Sequence, residues 1–145
     1  MINIVYKPKI EGLNQVFQYQ TMYSAGADLI AQKAYEITPG QTIMIKTGVF
    51  VEGFSLEGLE PSYIPELQVR PRSGLSKKGI LASFGTVDCD YRDEIGVILT
   101  NTSDRIYYIT PGDRIAQLVC AMVYRPKCIA VAQVVREGGW GHTGQ

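Results

Sequence analysis

Histidine and tryptophan occur once each in this chain, as His142 and Trp140, and cysteine only three times, as Cys89, Cys120 and Cys128. One histidine and three scattered cysteines without a C-x-x-C pair exclude a recognisable zinc site. A serine triad would have only His142 to draw on, inside a glycine-rich tail, so covalent acyl chemistry has no support. Three cysteines cannot all pair within one chain, and their spacing is not that of a secreted disulfide framework. Charge is scarce as well: 19% of residues are charged, and 14 basic residues cancel 14 acidic ones. No broad basic field exists to hold a nucleic-acid polymer. A small anion remains within reach, because a phosphate site needs only a few cations and backbone N–H groups. No apolar run approaches the roughly 20 residues that span a bilayer, and the opening MINIVYKPKI lacks the apolar stretch of a signal peptide. These absences predict a soluble, cytoplasmic protein with no membrane partner.

What is present fits a single folded domain. The 145 residues are 46% hydrophobic, enough for one core and far from the composition of disorder. Segments rich in Ile, Val and Tyr recur at 2–6, 42–51, 66–70, 94–100, 105–109, 114–123 and 129–135, separated by Gly, Pro and Asp turn chemistry such as Pro39-Gly40 and Pro111-Gly112-Asp113. Many short strands at such spacing predict an all-β sandwich or barrel. No long stretch keeps a 3.6-residue apolar repeat, so at most one short helix is expected, over 74–78. The interval 53–65 has few strand formers and two prolines and reads as a surface loop. Residues 1–136 are read as the domain, and the glycine-rich 137–145 as a mobile arm belonging to it.

Five short segments join glycine to charged or polar residues at expected strand ends: Ser24-Ala25-Gly26-Ala27-Asp28-Leu29, Pro71-Arg72-Ser73-Gly74-Leu75, Gly85-Thr86-Val87-Asp88-Cys89-Asp90-Tyr91-Arg92, Gly112-Asp113-Arg114-Ile115-Ala116-Gln117-Leu118, and the tail from Arg136 to Gly144. Arg72-Ser73-Gly74 offers a phosphate a guanidinium, a hydroxyl and a backbone open to close approach, though the same residues also make a plain turn. Asp88 and Asp90, two apart, would share one face of a strand or else be solvated in a turn. Gln117 is the lone polar residue of an apolar strand, facing outward or into a site. Asp28 suits an Asx turn, or support of a metal's water shell or of a neighbouring arginine. Gly139-x-Gly141-x-x-Gly144 matches a dinucleotide fingerprint only formally, because the strand-then-helix context that gives the fingerprint its meaning is missing.

Taken in order, the five segments resemble the five motifs of the trimeric dUTPase family, from about Ser24 to Gly144. The resemblance implies a jelly-roll-like β barrel, a homotrimer whose active sites draw on all three subunits, Mg²⁺ as cofactor, and hydrolysis of dUTP to dUMP and pyrophosphate. It implies that Asp88 is the general base activating the attacking water, and that Arg72, Ser73 and Gly74 grip the triphosphate. Gly85, Thr86 and Val87 would contact substrate, and Tyr91 would pack on the deoxyribose and exclude a 2′-hydroxyl. Gln117 and Arg136 would serve the phosphates, while Trp140, standing where the family usually has Phe, would stack on uracil as the arm closes. The stretch between Leu75 and Gly85 would form the hairpin that reads uracil. Here the chain departs from the pattern, with a shorter interval from Arg72 to Asp88 and Ala82-Ser83-Phe84 where relatives often carry Asn. Arg136 also lies one residue closer to the tail aromatic than usual.

Two other readings stand beside this one. A dCTP deaminase shares the fold but needs a glutamate ten residues beyond the equivalent of Asp88, where this chain has Ile98. A catalytically weak relative would act instead as a nucleotide-sensing or protein-interaction module, with the loop at 53–65 as its partner surface.

Overall fold

The computed structural model describes residues 2–7 and 17–130. Eleven strands and one helical turn make up those residues. A four-stranded sheet has the order β2 (Gly26–Ile30), β11 (Arg114–Tyr124), β6 (Tyr63–Arg70), β8 (Gly85–Asp88), and a three-stranded one β4 (Thr42–Lys46), β9 (Gly96–Asn101), β7 (Ile80–Ala82). Two pairs complete the fold: β1 (Ile2–Tyr6) with β5 (Val49–Phe54), and β10 (Tyr107–Ile109) with β3 (Tyr35–Ile37). Every pairing is antiparallel. Among the described residues no helix is long and apolar enough to cross a membrane.

Strand alternation builds the core. In β6 Pro65, Leu67 and Val69 point inward, and in β9 Val97, Leu99 and Asn101 do. With Leu29, Ile37, Ile45, Val49, Ile80, Ile109, Ile115 and Leu118 they close one apolar interior. A proline inside β6 would normally break a ladder. Pro65 is tolerated because β8 pairs only with Glu66 to Val69, leaving β6 an edge on that side at Pro65. Buried Asn101 donates to the carbonyls of Ile37 and Arg105 at 2.7 Å each, while its own oxygen accepts from Ser103, so its polar groups are satisfied.

Several expectations need correction. The run at 42–51 is two strands, because Gly48, at φ 75°, breaks it with a turn. No strand begins at Ile129 or Ala130, and the rest of that expected segment lies outside the described residues. The expected helical turn exists, one residue earlier, as α1 (Ser73–Ser76). The loop at 53–65 is narrower than expected, since β5 runs to Phe54 and β6 starts at Tyr63. The stretch between Leu75 and Gly85 does not fold into a hairpin. β7 pairs with β9 while β8 pairs with β6, so Ser83 and Phe84 carry the chain from one sheet to the other. Strands that switch sheets in this way form the corners of a barrel.

Candidate active site

The first cluster is built on β2, β11 and the turn after β6. Gln117 lies opposite Asp28 on one side and Arg70 on the other, so all three side chains share the outer face of the sheet. Asp28 is only 6% exposed. Its Oδ1 lies 3.1 Å from Arg72 Nε, its Oδ2 lies 3.6 Å from an Arg114 terminal nitrogen, and Arg72 also donates to the Arg114 carbonyl at 3.2 Å. Two guanidiniums therefore bracket one buried carboxylate, which fixes both and leaves a net positive charge. Asp28 Oδ2 accepts no hydrogen bond. The cluster forms the wall of a cleft of about 530 Å³, completed by Ser24, Gly26, Ser73, Gly74 and Gln117. Its polar, cationic lining suits a phosphate chain.

The turn before β11 places Arg114. Asp113 N–H bonds to the Thr110 carbonyl at 3.1 Å, Asp113 Oδ2 accepts from Thr110 N–H at 2.8 Å, and Gly112 sits at φ 90°, a position glycine fills without strain. Ala31 N–H then bonds to the Asp113 carbonyl at 2.9 Å and ties the turn to the end of β2. Gln117 is held by its amide, which donates to the Pro71 carbonyl at 3.3 Å. Gly26 makes room for it, since a methyl group there would lie 3.0 Å from Val119 Cγ2 and 3.1 Å from Gln117 Oε1. Gly26→Ala is accordingly expected to destabilise the fold by about 1–3 kcal/mol in a denaturant titration, as overpacking does. Unchanged stability would mean that the wall of the cleft yields.

A second cluster lies on β8 and the turn that follows. Thr86 and Asp88 stand opposite Gln68 and Glu66 on the outer face, while Val87 packs on the core. Gly85 allows the close approach of β8 to β6, for a methyl group there would meet Val69 Cβ at 3.3 Å. The strand ends at Asp88, and Tyr91 N–H bonds to the Asp88 carbonyl at 3.0 Å, so the alternation expected to put Asp90 beside Asp88 stops short of it. Gly85, Thr86, Val87 and Tyr91 line a cleft of about 580 Å³ whose apolar walls include Phe50, Val69 and Ile98.

One chain does not bring the two clusters together. β11 and β8 flank β6 on opposite sides, and Asp88 is opposite Glu66, four residues along β6 from the Arg70 that faces Gln117. Two strand spacings and four residue rises put the Cα atoms of Gln117 and Asp88 roughly 16 Å apart. Arg136 and Trp140 lie outside the described residues. Sequence reasoning passed over Arg114 although it stands inside the fourth segment. Only the burial of Asp28, far away in sequence, gives it a partner.

The donor set also limits metal and covalent chemistry. Among the described residues no three His, Cys, Asp or Glu side chains gather to hold a metal ion. Mg²⁺ keeps several waters and commonly binds through substrate phosphates, so the site fits a hydrated ion carried by a triphosphate. Asp28 Oδ2, ion-paired with Arg114 but accepting no hydrogen bond, is one acceptor at this cleft, beside the side-chain oxygens of Ser24 and Gln117. Cys89 is buried, and burial pushes the Cys120 thiol above its ordinary value, away from the thiolate that a nucleophile requires.

Comparison with known proteins agrees with this geometry. The dUTPase family profile matches residues 14–144. A deoxyuridine 5′-triphosphate nucleotidohydrolase of Chlamydia trachomatis serovar L2 is 40% identical over 147 aligned positions, covering 94% of this chain and 96% of its own. One of the same name from Crocosphaera subtropica is 41% identical over 134, covering 88% of this chain and 89% of its own. Among solved structures, a mutant dUTPase of Staphylococcus bacteriophage 80alpha with dUpNHpp superposes at a TM-score of 0.74 with 20% identity, over 99% of this chain and 95% of that one. A mutant dUTPase from phage phi11 of S. aureus, described as coordinating a structural Mg(II) ion, gives 0.73 with 20% identity over 92% and 98%. The fold is thus the jelly-roll-like β fold of these proteins.

Proposed function

The chain belongs to the dUTPase family, and from that premise we propose that it hydrolyses dUTP to dUMP and pyrophosphate as a homotrimer with composite active sites. The observation that carries the reading is the division of the family's residues between two clefts of one chain, a cationic one around Arg72, Ser73, Gly74 and Gln117 and an apolar one beside Tyr91. A nucleoside triphosphate has the same division, polyanion at one end and base and sugar at the other. Juxtaposing the cationic cleft of one subunit with the Tyr91 cleft of another completes a site that neither subunit holds alone.

In that site Asp88 accepts a proton from a water as the water oxygen attacks the α-phosphorus. The bond from that phosphorus to the bridging oxygen of the β-phosphate breaks, and pyrophosphate leaves. Charge building on the phosphate oxygens is met by Arg72, held in position by Asp28, and by Ser73 and the backbone at Gly74. Gln117 orients the phosphates or a water bound to them. Asp28 would support the water shell of a triphosphate-bound Mg²⁺, which would supply further neutralisation of the phosphates. Arg136 and Trp140 would cover the nucleotide from the arm, adding a cation and a stacking surface.

Selection of deoxyribose falls to Tyr91, which lines the apolar cleft and is 40% exposed. Pressed on the sugar, it leaves a 2′-hydroxyl no room. The test is pyrophosphate release from dUTP and from UTP: wild type turns over dUTP with a large preference, and Tyr91→Ala narrows the gap between the two specificity constants by about tenfold or more. Absence of dUTP turnover in the wild type overturns the proposed activity. An unchanged ratio in Tyr91→Ala places sugar selection elsewhere.

A further inference from the structure

We propose that Arg92 is the positioning residue of the active site, clamping the turn that carries Asp88 and Tyr91, with the ring of Phe54 as its anchor. The inference rests on the roles proposed for Asp88 and Tyr91. Neither the Asp88 carboxylate nor the Tyr91 hydroxyl makes a hydrogen bond with any described residue. Their places are therefore set by the backbone from which they project, and by whatever holds that backbone.

The backbone here is a four-residue turn, closed by the single bond from Tyr91 N–H to the Asp88 carbonyl at 3.0 Å. One such bond leaves the other carbonyls of the turn without strand partners, free to swing with the peptide planes. Arg92 takes up two of them. Its Nη1 donates to the carbonyl of Cys89 at 3.0 Å and to that of Tyr91 at 3.1 Å, bridging the turn on either side of Asp90. Bonds from a charged donor are stronger than neutral ones, so this bridge adds a second tie to the closing bond. Fixing the peptide after Tyr91 fixes the exit direction of its side chain, and fixing the one after Cys89 holds the chain just beyond Asp88.

A clamp needs a support that does not move with the turn. The Arg92 guanidinium carbon lies 5.8 Å from the centre of the Phe54 ring, within range of a cation–π contact. Phe54 ends β5 and pairs with Ile2 of β1, in a sheet separate from that of β8. Cys89, 7% exposed, pins the middle of the turn to the interior. The turn is thus held from inside by Cys89 and from outside by Arg92 on Phe54.

Steady-state kinetics with dUTP and UTP test the assignment. Arg92→Ala is expected to lower kcat for dUTP about ten- to a hundredfold, the scale of a misplaced catalytic group, while KM changes less than about threefold. It should also narrow the dUTP-to-UTP ratio of specificity constants in the same direction as Tyr91→Ala. Phe54→Leu keeps the bulk but loses the aromatic face, so it should produce a weaker version of both effects, and Phe54→Tyr should restore wild-type values. A structural role alone would lower thermal stability and leave the ratio untouched. If Arg92→Ala does not fold, the Phe54 pair decides by the same two readouts. Wild-type turnover of dUTP with an unchanged ratio in Arg92→Ala, or in Phe54→Leu, overturns the clamp and leaves the activity standing. No turnover in the wild type overturns the activity itself.

Discussion

Asp88→Asn is expected to bind a non-hydrolysable dUTP analogue with near wild-type affinity and to hydrolyse dUTP about 10²–10⁴ times more slowly. The amide keeps the shape of the side chain at the end of β8 but cannot take a proton from water. Glu66 is the carboxylate directly opposite, as the cross-strand partner of Asp88. It is engaged, because its Oε1 accepts a hydrogen bond from the Gln68 amide, and Gln68 in turn accepts from Arg70 Nε at 3.0 Å. Glu66→Gln should therefore leave most of the turnover intact. Calorimetric titration with the analogue, beside pyrophosphate release, separates binding from chemistry. Full turnover in Asp88→Asn would remove it from the mechanism, and a collapse confined to Glu66→Gln would move the base by one strand.

Two inactive variants mixed together are expected to recover activity. Arg72→Ala lacks the cation of the phosphate cleft and Asp88→Asn lacks the base, so trimers of either alone should be nearly silent. The affected residues belong to different clusters of one chain, on β8 and on the turn after β6, and a site assembled across subunits can take an intact Arg72 from one chain and an intact Asp88 from its neighbour. Random co-assembly at equal amounts gives about a quarter of the sites both intact groups. The recovered rate should approach that fraction of wild type after refolding together, and stay near zero when finished trimers are simply combined. Arg72→Ala also leaves Asp28 with Arg114 as its only arginine partner, which costs stability, though the loss is tempered by the solvent access of the Arg72 side chain at 27%. No recovery with both variants folded as trimers would mean that each chain completes its own site.

Local chemistry made much of this legible from sequence, and topology accounts for what was not. β1 was read with its observed ends, and β11 to within one residue, because Ile, Val and Tyr dominate both. β2 was missed as a strand, since Gly-Ala-Asp-Leu-Ile offers little alternation. It is buried at all five positions, so no polar face marks it. β8 was noticed for its aspartate, and four residues are too few for a period to show. The individual candidate residues could be named because each motif is contiguous. The division of the described ones into two clusters could not, because it depends on β6 lying between β11 and β8. Arg114 shows the same limit at the scale of one side chain, for its importance comes from a buried carboxylate on a strand remote in the chain.

That arrangement also bears on how the molecule comes to be made. Among the described residues β2 has β11 as its only strand neighbour in the sheet, and β11 is the last strand there while β2 is among the first. During synthesis the early strand must wait, held only by its bridge to Tyr19 and the bond from Asp28 N–H to the Gln18 carbonyl, until β11 has left the ribosome. Such distant pairing makes folding slow, since a long loop has to close before any contact rewards it. Asp28 waits with it, fully hydrated and far from both arginines. The phosphate cleft is thus among the last features to appear, and a nascent chain halted before β11 has no means of gripping a nucleotide.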